Sequence, residues 1–317
     1  MTTITPWHWI AFILCVLFFL ALDLGAFHRR PRPVKFSEAA AWSALWVVLA
    51  MLFAAALAHW RTREEAVQFT TGYVIELSLS LDNILVIALI FAWFRVPAEF
   101  QHRLLFWGIL GALAMRGAMI AVGAALIREF DWVLYIFGAF LIFAGAKMFF
   151  SKQDMVEPEK NLALRLAKKL FPVSQNLDGP KFLTRAEGRL ALTPLALVLL
   201  LVETTDLIFA VDSVPAVFSI TRKAFIVFTS NVFAILGLRS MYFLLAGALG
   251  YFRYLKIGLS IVLVFIGAKM LLVPHEPHPP LWFQIEIPTT VSLLVVAAIL
   301  LIAIVLSITA ARREKIK

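Results

Sequence analysis

The chain has 317 residues, of which 62% are apolar and only 15% are charged, with one cysteine and a formal net charge of +9. Soluble domains are nearer to half apolar and a quarter charged, so the composition excludes an ordinary soluble protein and predicts a membrane protein. A single cysteine excludes an intrachain disulfide framework and a thiolate cluster for a soft metal.

Nine apolar segments are long enough to cross a bilayer as α-helices. We predict them at 8–27, 39–59, 69–94, 104–127, 131–150, 191–220, 225–248, 251–273 and 288–311. The predicted fold class is therefore an all-α polytopic membrane protein with about nine transmembrane helices.

The basic residues are distributed unevenly between the connections. Twenty of the 29 Lys and Arg residues lie in alternate connections and the C-terminal tail, and five lie in the other connections and the N-terminus. This bias predicts an N-terminus outside and a C-terminus in the cytoplasm. The net positive charge is therefore explained by membrane topology and by contact with lipid headgroups. Nucleic acid is not an expected partner.

The one long connection, 151–190, contains KNLALRLAKKLF at 160–171. Leucines spaced by four residues, with Lys and Arg between them, predict a basic amphipathic helix that lies on the cytoplasmic leaflet in contact with membrane lipids. A helix that binds a protein partner is the alternative.

Three segments recur in the same order along the chain. ELSLSLDN at 76–83 matches DLIFAVDS at 206–213, so each copy has two acids six residues apart, followed by a small polar residue. Arg116 in ILGALAMRGAM matches Arg239 in AILGLRSM, and FAGAKM matches FIGAKM. Three matches in register indicate an internal repeat.

The repeat unit contains three spans, at 69–150 in the first copy and 191–273 in the second. A unit with an odd number of spans is inverted between copies, which is typical of secondary transporters with a site near the midplane. The remaining segments are an N-terminal pair of helices at 1–68, the basic loop at 151–190, and an outer loop, last helix and cytoplasmic tail at 274–317.

Acidic residues within the spans are the strongest indication of function. They are Glu76, Asp82, Glu203, Asp206 and Asp212. A carboxylate at the bilayer centre costs about 2.5–3.5 kcal/mol on insertion scales. These side chains must therefore face the bundle interior, a water-filled cavity, a cation or a proton.

Helix spacing divides the polar residues between faces. Residues three, four and seven apart share a face, whereas residues six apart lie about 120° from each other. The residues that share a face are Glu76 and Asn83 in the first copy, and Glu203, Asp206 and Ser213 in the second. Asp82 and Asp212 lie off these faces unless the helix breaks, and Pro215 favours a break.

Carboxylate, amide and hydroxyl oxygens are the ligands that these helices offer. All-oxygen sites suit Mg²⁺, Ca²⁺ or Mn²⁺, and the residues alone leave the three open. The four repeat-matched acids, balanced by Arg116 and Arg239, leave a charge of −2. One divalent ion or two protons would neutralise it, which suggests divalent cation/proton exchange. A purely structural pairing of acids with basic residues is the alternative.

The quoted acidic segments, extended to ELSLSLDNILV and ETTDLIFAVDSVPAVFSIT, and the following SNVFAILGLRSMYFLLAG and FIGAKML resemble the TerC family of integral membrane proteins, most closely its Alx-like branch. The resemblance covers about 42–273. It implies a multi-pass protein of the bacterial inner membrane in metal-ion homeostasis, exporting Mn²⁺, with no permanently bound cofactor. The metal ligands that it implies are Glu76, Asp82, Asn83, Glu203, Asp206, Asp212 and Ser213.

Two alternatives to export of Mn²⁺ would use the same acids. A non-transporting scaffold in a tellurite or metal-stress complex would use the acids as structural partners, and a calcium or other divalent cation/proton exchanger would use the same oxygen ligands. The sequence contexts of the aspartates do not fit an intramembrane aspartyl protease, and no HExxH motif is present. We therefore expect a transporter rather than an enzyme, and leave a homo-oligomer open.

Overall fold

The computed structural model describes residues 4–27, 36–150, 161–174, 178–186, 189–245, 254–274 and 284–316. These residues form ten α-helices and one antiparallel hairpin. The helices are α1 (Pro6–Phe27), α2 (Phe36–Trp60), α3 (Arg63–Trp93), α4 (Ala98–Glu129), α5 (Val133–Phe150), α6 (Leu162–Leu170), α7 (Pro194–Phe218), α8 (Ala224–Leu245), α9 (Leu255–Leu272) and α10 (Thr289–Ile316), and the strands are β1 (Leu183–Ala186) and β2 (Arg189–Leu192).

Within the described residues, eight helices, α2–α5 and α7–α10, are long and apolar enough to cross a membrane. The predicted all-α polytopic class is therefore confirmed. The apolar part of α1 is shorter, at Pro6–Ala21. A count of nine spans stays a prediction.

Local sequence determines where the central helices begin. α3 follows Thr62, whose Oγ1 accepts a hydrogen bond from the backbone N of Glu65 at 3.1 Å. α7 follows Thr193, whose Oγ1 accepts from the backbone N of Ala196 at 3.3 Å. Both threonines satisfy a backbone N–H that has no partner within the helix. Pro194 opens α7 at a position where its missing N–H costs nothing.

α3 packs against α7 and α8, two of the other helices that form the candidate site. Its first turn meets the start of α8, because Lys223 Nζ donates to Glu65 Oε1 at 2.8 Å. A Cβ added to Gly72 would lie 2.9 Å from Ser230 Oγ, further along both helices. α3 therefore runs parallel to α8, and the two backbones approach closely at Gly72.

α5 and α9 cross as an antiparallel pair with glycines at the contact. A Cβ added to Gly267 would lie 2.6 Å from the backbone O of Gly138, and one added to Gly145 would lie 2.8 Å from the backbone O of Ser260. A backbone atom cannot turn aside as a flexible side chain can. Glycine is therefore needed at both positions for this close helix packing.

Contacts near the ends of the helices define the two ends of the bundle. Arg222 Nη1 donates to Asp131 Oδ1 at 2.7 Å at one end. At the other end, Tyr242 Oη donates to Gln101 Oε1 at 3.1 Å. Each pair joins segments predicted on the same side of the membrane, which agrees with the predicted alternation of the spans. The assignment of these ends to the outside and the cytoplasm stays a prediction.

The amphipathic helix predicted at 160–171 is confirmed as α6. Its Leu164 side chain is buried, and Asn161 at its start donates to Thr204 Oγ1 of α7 at 3.1 Å. The exposed leucines are Leu162, Leu166 and Leu170. α6 thus packs along α7 with one side and presents a second apolar row, and its contact with the lipid leaflet stays a prediction.

A short hairpin precedes α7, where the sequence predicted only a basic loop. β1 and β2 pair from Leu183 with Leu192, so the span predicted from residue 191 begins instead at Pro194. Thr184 Oγ1 and Lys181 Nζ donate to Asp178 Oδ2 at 2.8 and 3.2 Å. These hydrogen bonds, with the Lys181 charge, lower the pKa of the Asp178 carboxyl.

The helix break predicted near Pro215 is wrong. α7 continues through Pro215 to Phe218, and Ser219 N donates to Pro215 O at 3.1 Å. Pro215 lies in the last turn, where the missing N–H removes a single hydrogen bond and little of the helix remains to be disturbed. Asp82 and Asp212 therefore remain off the faces that carry Glu76 and Asp206.

Candidate metal site

Four helices bring six polar side chains together near the middle of the bundle. They are Glu76 and Asn83 of α3, Arg116 of α4, Asp206 and Ser213 of α7, and Asn231 of α8. Each of the six is at most 4% exposed. The residues on α3 are seven apart, as are those on α7, which places each pair on one face as predicted. We call these six residues the polar network.

Arg116 lies between the two carboxylates of the network. Its Nη1 donates to Glu76 Oε2 at 2.6 Å. Its Nε and Nη2 donate to Asp206 Oδ2 and Oδ1 at 3.2 and 3.0 Å, which forms a bidentate ion pair. Nη1 also lies 3.3 Å from Ser213 Oγ. Two carboxylates and one guanidinium leave the network a formal charge of −1.

Two asparagines complete the hydrogen bonding of the carboxylates. Asn83 Nδ2 donates to Asp206 Oδ1 at 2.7 Å, and Asn231 Nδ2 donates to Glu76 Oε1 at 2.6 Å. The Oδ1 atoms of both asparagines are buried with no hydrogen-bond partner among the described residues. A buried acceptor without a partner is unfavourable, so each of these oxygens is available to a water molecule or a ligand. Both oxygens are suitable ligands for a hard cation.

A small cavity adjoins the network. Its volume is about 20 Å³, and its polar lining comes from Asn83 and Asp206. Glycine and apolar side chains of α3, α4, α7 and α8 form the rest of the wall. A volume of this size admits one water molecule or one ion.

Three predicted ligands lie outside the network. Asp82, Glu203 and Asp212 are only partly buried, and among the described contacts no hydrogen bond joins them to it. The sequence analysis expected four repeat-matched acids and two arginines in one place. The structure instead joins two of these acids, Glu76 and Asp206, with one arginine, Arg116.

Glu203 packs against the backbone of α4. A Cβ added to Gly111 would overlap its carboxylate, and its Oε2 is buried with no hydrogen-bond partner in the described part of the chain. Glu203 lies one turn before Asp206 on α7, so its carboxyl group is close to the network. Its predicted role as a ligand stays a prediction.

The two predicted charge-balancing arginines differ in position. Arg116 is part of the network, whereas Arg239 is buried in α8, eight residues after Asn231. The role predicted for Arg239 stays a prediction. The structure adds Asn231, which the sequence analysis missed. Its signal was an amide side chain in a predominantly apolar span, and polar groups within a membrane are functional by default.

The acids alone do not form a metal site. Among the described residues, no group of three His, Cys, Asp or Glu side chains could hold a metal ion. A cation at Glu76 and Asp206 would therefore need the amide and hydroxyl oxygens of Asn83, Ser213 and Asn231. It would also need Arg116 to leave the carboxylates.

The sequence model of the integral membrane protein TerC family matches residues 60–315. The chain belongs to the TerC family. It is 50% identical over 308 residues to the uncharacterized membrane protein STKORF319 of Myxococcus xanthus, covering 97% of this chain and 94% of that protein. It is 45% identical over 312 residues to the "Putative membrane-bound redox modulator Alx" of Escherichia coli K12, covering 96% and 94%. No solved structure matches the chain. The TerC match extends from the last residue of α2 into α10 and includes the whole network.

Proposed function

We propose that the protein exports divalent metal ions, with Mn²⁺ as its main substrate, and that the polar network is the site of the transported ion. The observation that carries the proposal is the pair of carboxylates, Glu76 and Asp206, buried at mid-bundle among amide and hydroxyl oxygens. Burying acids in a membrane is unfavourable, and such residues commonly mark ion pathways.

The chemistry of the network suits a hard divalent cation. Glu76 and Asp206 together carry −2, which one divalent ion neutralises. The oxygens of Asn83, Ser213 and Asn231 would supplement the carboxylates, and oxygen ligands favour Mn²⁺, Mg²⁺ and Ca²⁺ over softer ions. The choice of Mn²⁺ among these three rests on what the TerC resemblance implies. A calcium or other divalent cation/proton exchanger is the variant of this proposal with another substrate.

An inverted repeat would give this site its transport mechanism. In the sequence match, Gly145 corresponds to Gly267, and Gly138 corresponds to Ser260. Gly145 packs on Ser260 as Gly267 packs on Gly138. Matched helices are also antiparallel, since α5 runs against α9, and α3 runs against α7. This reciprocity supports a two-fold axis in the membrane plane, about which the two copies would rock to open the site alternately.

Two acids outside the network would lie on the paths by which an ion reaches and leaves it. Asp82 lies beyond Glu76 toward the predicted cytoplasmic end of α3, and Asp212 lies beyond Asp206 toward the predicted outer end of α7. Both are partly exposed, so an ion could meet them before or after the network. We propose the bacterial inner membrane as the location, with the N-terminus outside, and exchange against protons as the coupling.

A scaffold without transport is the main rival. It would use the network only to hold α3, α4, α7 and α8 together. A redox function, suggested by the name of the Escherichia coli relative, has little support in this chain. Its one cysteine, Cys15, cannot form a dithiol within one chain, so a thiol–disulfide cycle would need a second molecule.

Cellular manganese measured by elemental analysis tests the proposal. Cells without their own exporter would receive a manganese load and express the protein, Glu76→Gln, Asp206→Asn or the control Glu99→Gln, which changes an exposed acid at the start of α4. We expect low manganese with the intact protein and the control, and high manganese with both network variants at matched expression. Equal manganese, calcium and magnesium in all strains would reject transport and favour the scaffold.

A further inference from the structure

The guanidinium of Arg116 occupies the place that a transported cation would need. We infer that Arg116 is a tethered counter-cation: it neutralises Glu76 and Asp206 when no metal is bound, and the metal displaces it. This inference rests on the proposed function. It explains how the metal-free transporter can change conformation and return to bind another ion.

All four carboxylate oxygens of the pair already accept hydrogen bonds. Three accept from Arg116, namely Glu76 Oε2 and both Asp206 oxygens, at 2.6–3.2 Å. The fourth, Glu76 Oε1, accepts from Asn231. A divalent ion binds oxygens at about 2.0–2.6 Å and repels a guanidinium in the same place. Metal and Arg116 therefore compete for the same oxygens.

The charges of the alternative states favour such an exchange. With Arg116 in place the network carries −1, and with a divalent ion in place of Arg116 it carries zero. Without either cation it would carry −2 in a buried position, which is the most unfavourable of the three. Arg116 thus keeps the metal-free network close in charge to the loaded one. The metal-free protein can then change conformation without two uncompensated carboxylates.

The cavity gives the incoming ion a place to begin. It adjoins Asn83 and Asp206, and Asn83 Oδ1 is buried without a hydrogen-bond partner in the described part of the chain. An ion in this cavity would contact Asp206 before Arg116 had left. It could therefore replace the guanidinium in steps instead of waiting for an empty network.

A permanent ion pair is the opposite interpretation. The two interpretations predict opposite changes in Mn²⁺ affinity when Arg116 is removed. If Arg116 competes with the metal, its removal tightens Mn²⁺ binding. If Arg116 only holds the helices in position, its removal weakens Mn²⁺ binding, because the ligands are no longer held together. Arg116→Gln keeps much of the side-chain volume without the charge. Arg116→Lys keeps the charge with fewer hydrogen bonds, and Arg128→Gln, at the exposed end of α4, is the control.

The test compares Mn²⁺ binding with two kinds of flux. Purified variants in detergent give the Mn²⁺ Kd by calorimetry. Proteoliposomes give net Mn²⁺ efflux and the exchange of radioactive Mn²⁺ against unlabelled Mn²⁺. We expect Arg116→Gln to lower the Kd about tenfold or more, to keep exchange and to lose net efflux. Exchange needs only the loaded protein to change conformation, whereas net efflux needs the empty protein to return.

Arg116→Lys keeps the inference testable if Arg116→Gln does not fold. We expect it to bind Mn²⁺ more tightly than the wild type and to keep more net efflux than Arg116→Gln. An unchanged or higher Kd in the folded variants, or equal loss of exchange and net efflux in Arg116→Gln, would overturn the role of Arg116. A wild-type protein that neither binds nor transports Mn²⁺ would instead reject the proposed function itself.

Discussion

The guanidinium of Arg116 donates two hydrogen bonds to the carboxylate of Asp206, at 3.0 and 3.2 Å, across the contact between α4 and α7. The same guanidinium reaches Glu76 on α3 at 2.6 Å. Three transmembrane helices are thus joined by one cation. A transported ion at this position would have to hold the same helices together after Arg116 leaves.

The stability of the metal-free protein should depend more on Arg116 than on either acid. Arg116→Gln leaves two buried carboxylates without a cation, and breaking a buried ion pair costs about 3–5 kcal/mol. Asp206→Asn leaves Arg116 paired with Glu76 and should cost less. Thermal unfolding in a chelator would show the largest fall in Tm for Arg116→Gln. A larger fall for Asp206→Asn would contradict this charge assignment.

Added Mn²⁺ should raise the Tm of Arg116→Gln most and that of Asp206→Asn least. A ligand that binds only the folded protein raises its stability by an amount that increases with the logarithm of the ratio of ligand concentration to Kd. We therefore expect Mn²⁺ to raise the Tm of Arg116→Gln more than that of the wild type, and to raise that of Asp206→Asn least. Differential scanning fluorimetry with and without Mn²⁺ measures this. Mg²⁺ at the same concentration separates selective binding from a general ionic effect.

Asn231 should be needed for transport, although the sequence patterns did not select it. Asn231→Leu removes the hydrogen bond to Glu76 and one amide oxygen. Loss of an oxygen ligand, or of the hydrogen bond that orients a ligating carboxylate, typically costs about 10–100-fold in metal affinity, so we expect Mn²⁺ binding to weaken by about tenfold or more. Ser240→Ala is the control, because Ser240 Oγ donates to Gly237 O of its own helix and is not part of the polar network. Equal Kd values for both variants would exclude Asn231 from the site.

Gly111 and Glu203 should be energetically coupled. Gly111→Ala places a methyl group where the Glu203 carboxylate lies, and overpacking costs about 1–3 kcal/mol. Glu203→Ala should remove most of this penalty, because it vacates the space. Unfolding measured for both single variants and the double variant gives the coupling. Additive effects would mean that Glu203 moves away freely.

The α5–α9 contact should tolerate no side chain at Gly267. Gly267→Ala would place a Cβ 2.6 Å from the backbone O of Gly138, and we expect a loss of about 1–3 kcal/mol. Gly237→Ala is the matched control, since its Cβ would meet Trp46 at an ordinary 3.6 Å. That substitution should be neutral or stabilising by about 0.5–1 kcal/mol. Equal losses in both variants would contradict the close packing of α5 on α9.

The sequence predicted the spans well because hydropathy and length determine which segments can cross lipid. Helix periodicity also placed Glu76 with Asn83, and Asp206 with Ser213, on single faces. Periodicity acts within one helix and cannot tell which helices meet. For this reason it could not choose Arg116 as the bridge between the acids, or include Asn231.

Two errors have local causes. The break at Pro215 was wrong because a proline in the last turn of a helix disturbs little, whereas the same residue in mid-helix would bend it. The hairpin at 183–192 was missed because its four-residue strands are too short to show a clear alternation of polar and apolar residues.

Mn²⁺ flux in proteoliposomes that contain only the purified protein tests the central claim most directly. A Mn²⁺-sensitive dye inside the vesicles would report entry for the wild type, Asp206→Asn and Glu99→Gln, reconstituted at equal density. We predict fast entry with the wild type and with Glu99→Gln, and entry at the rate of empty vesicles with Asp206→Asn. Wild-type vesicles that take up Mn²⁺ no faster than empty ones would contradict transport. Fast entry with Asp206→Asn would contradict the assignment of the site.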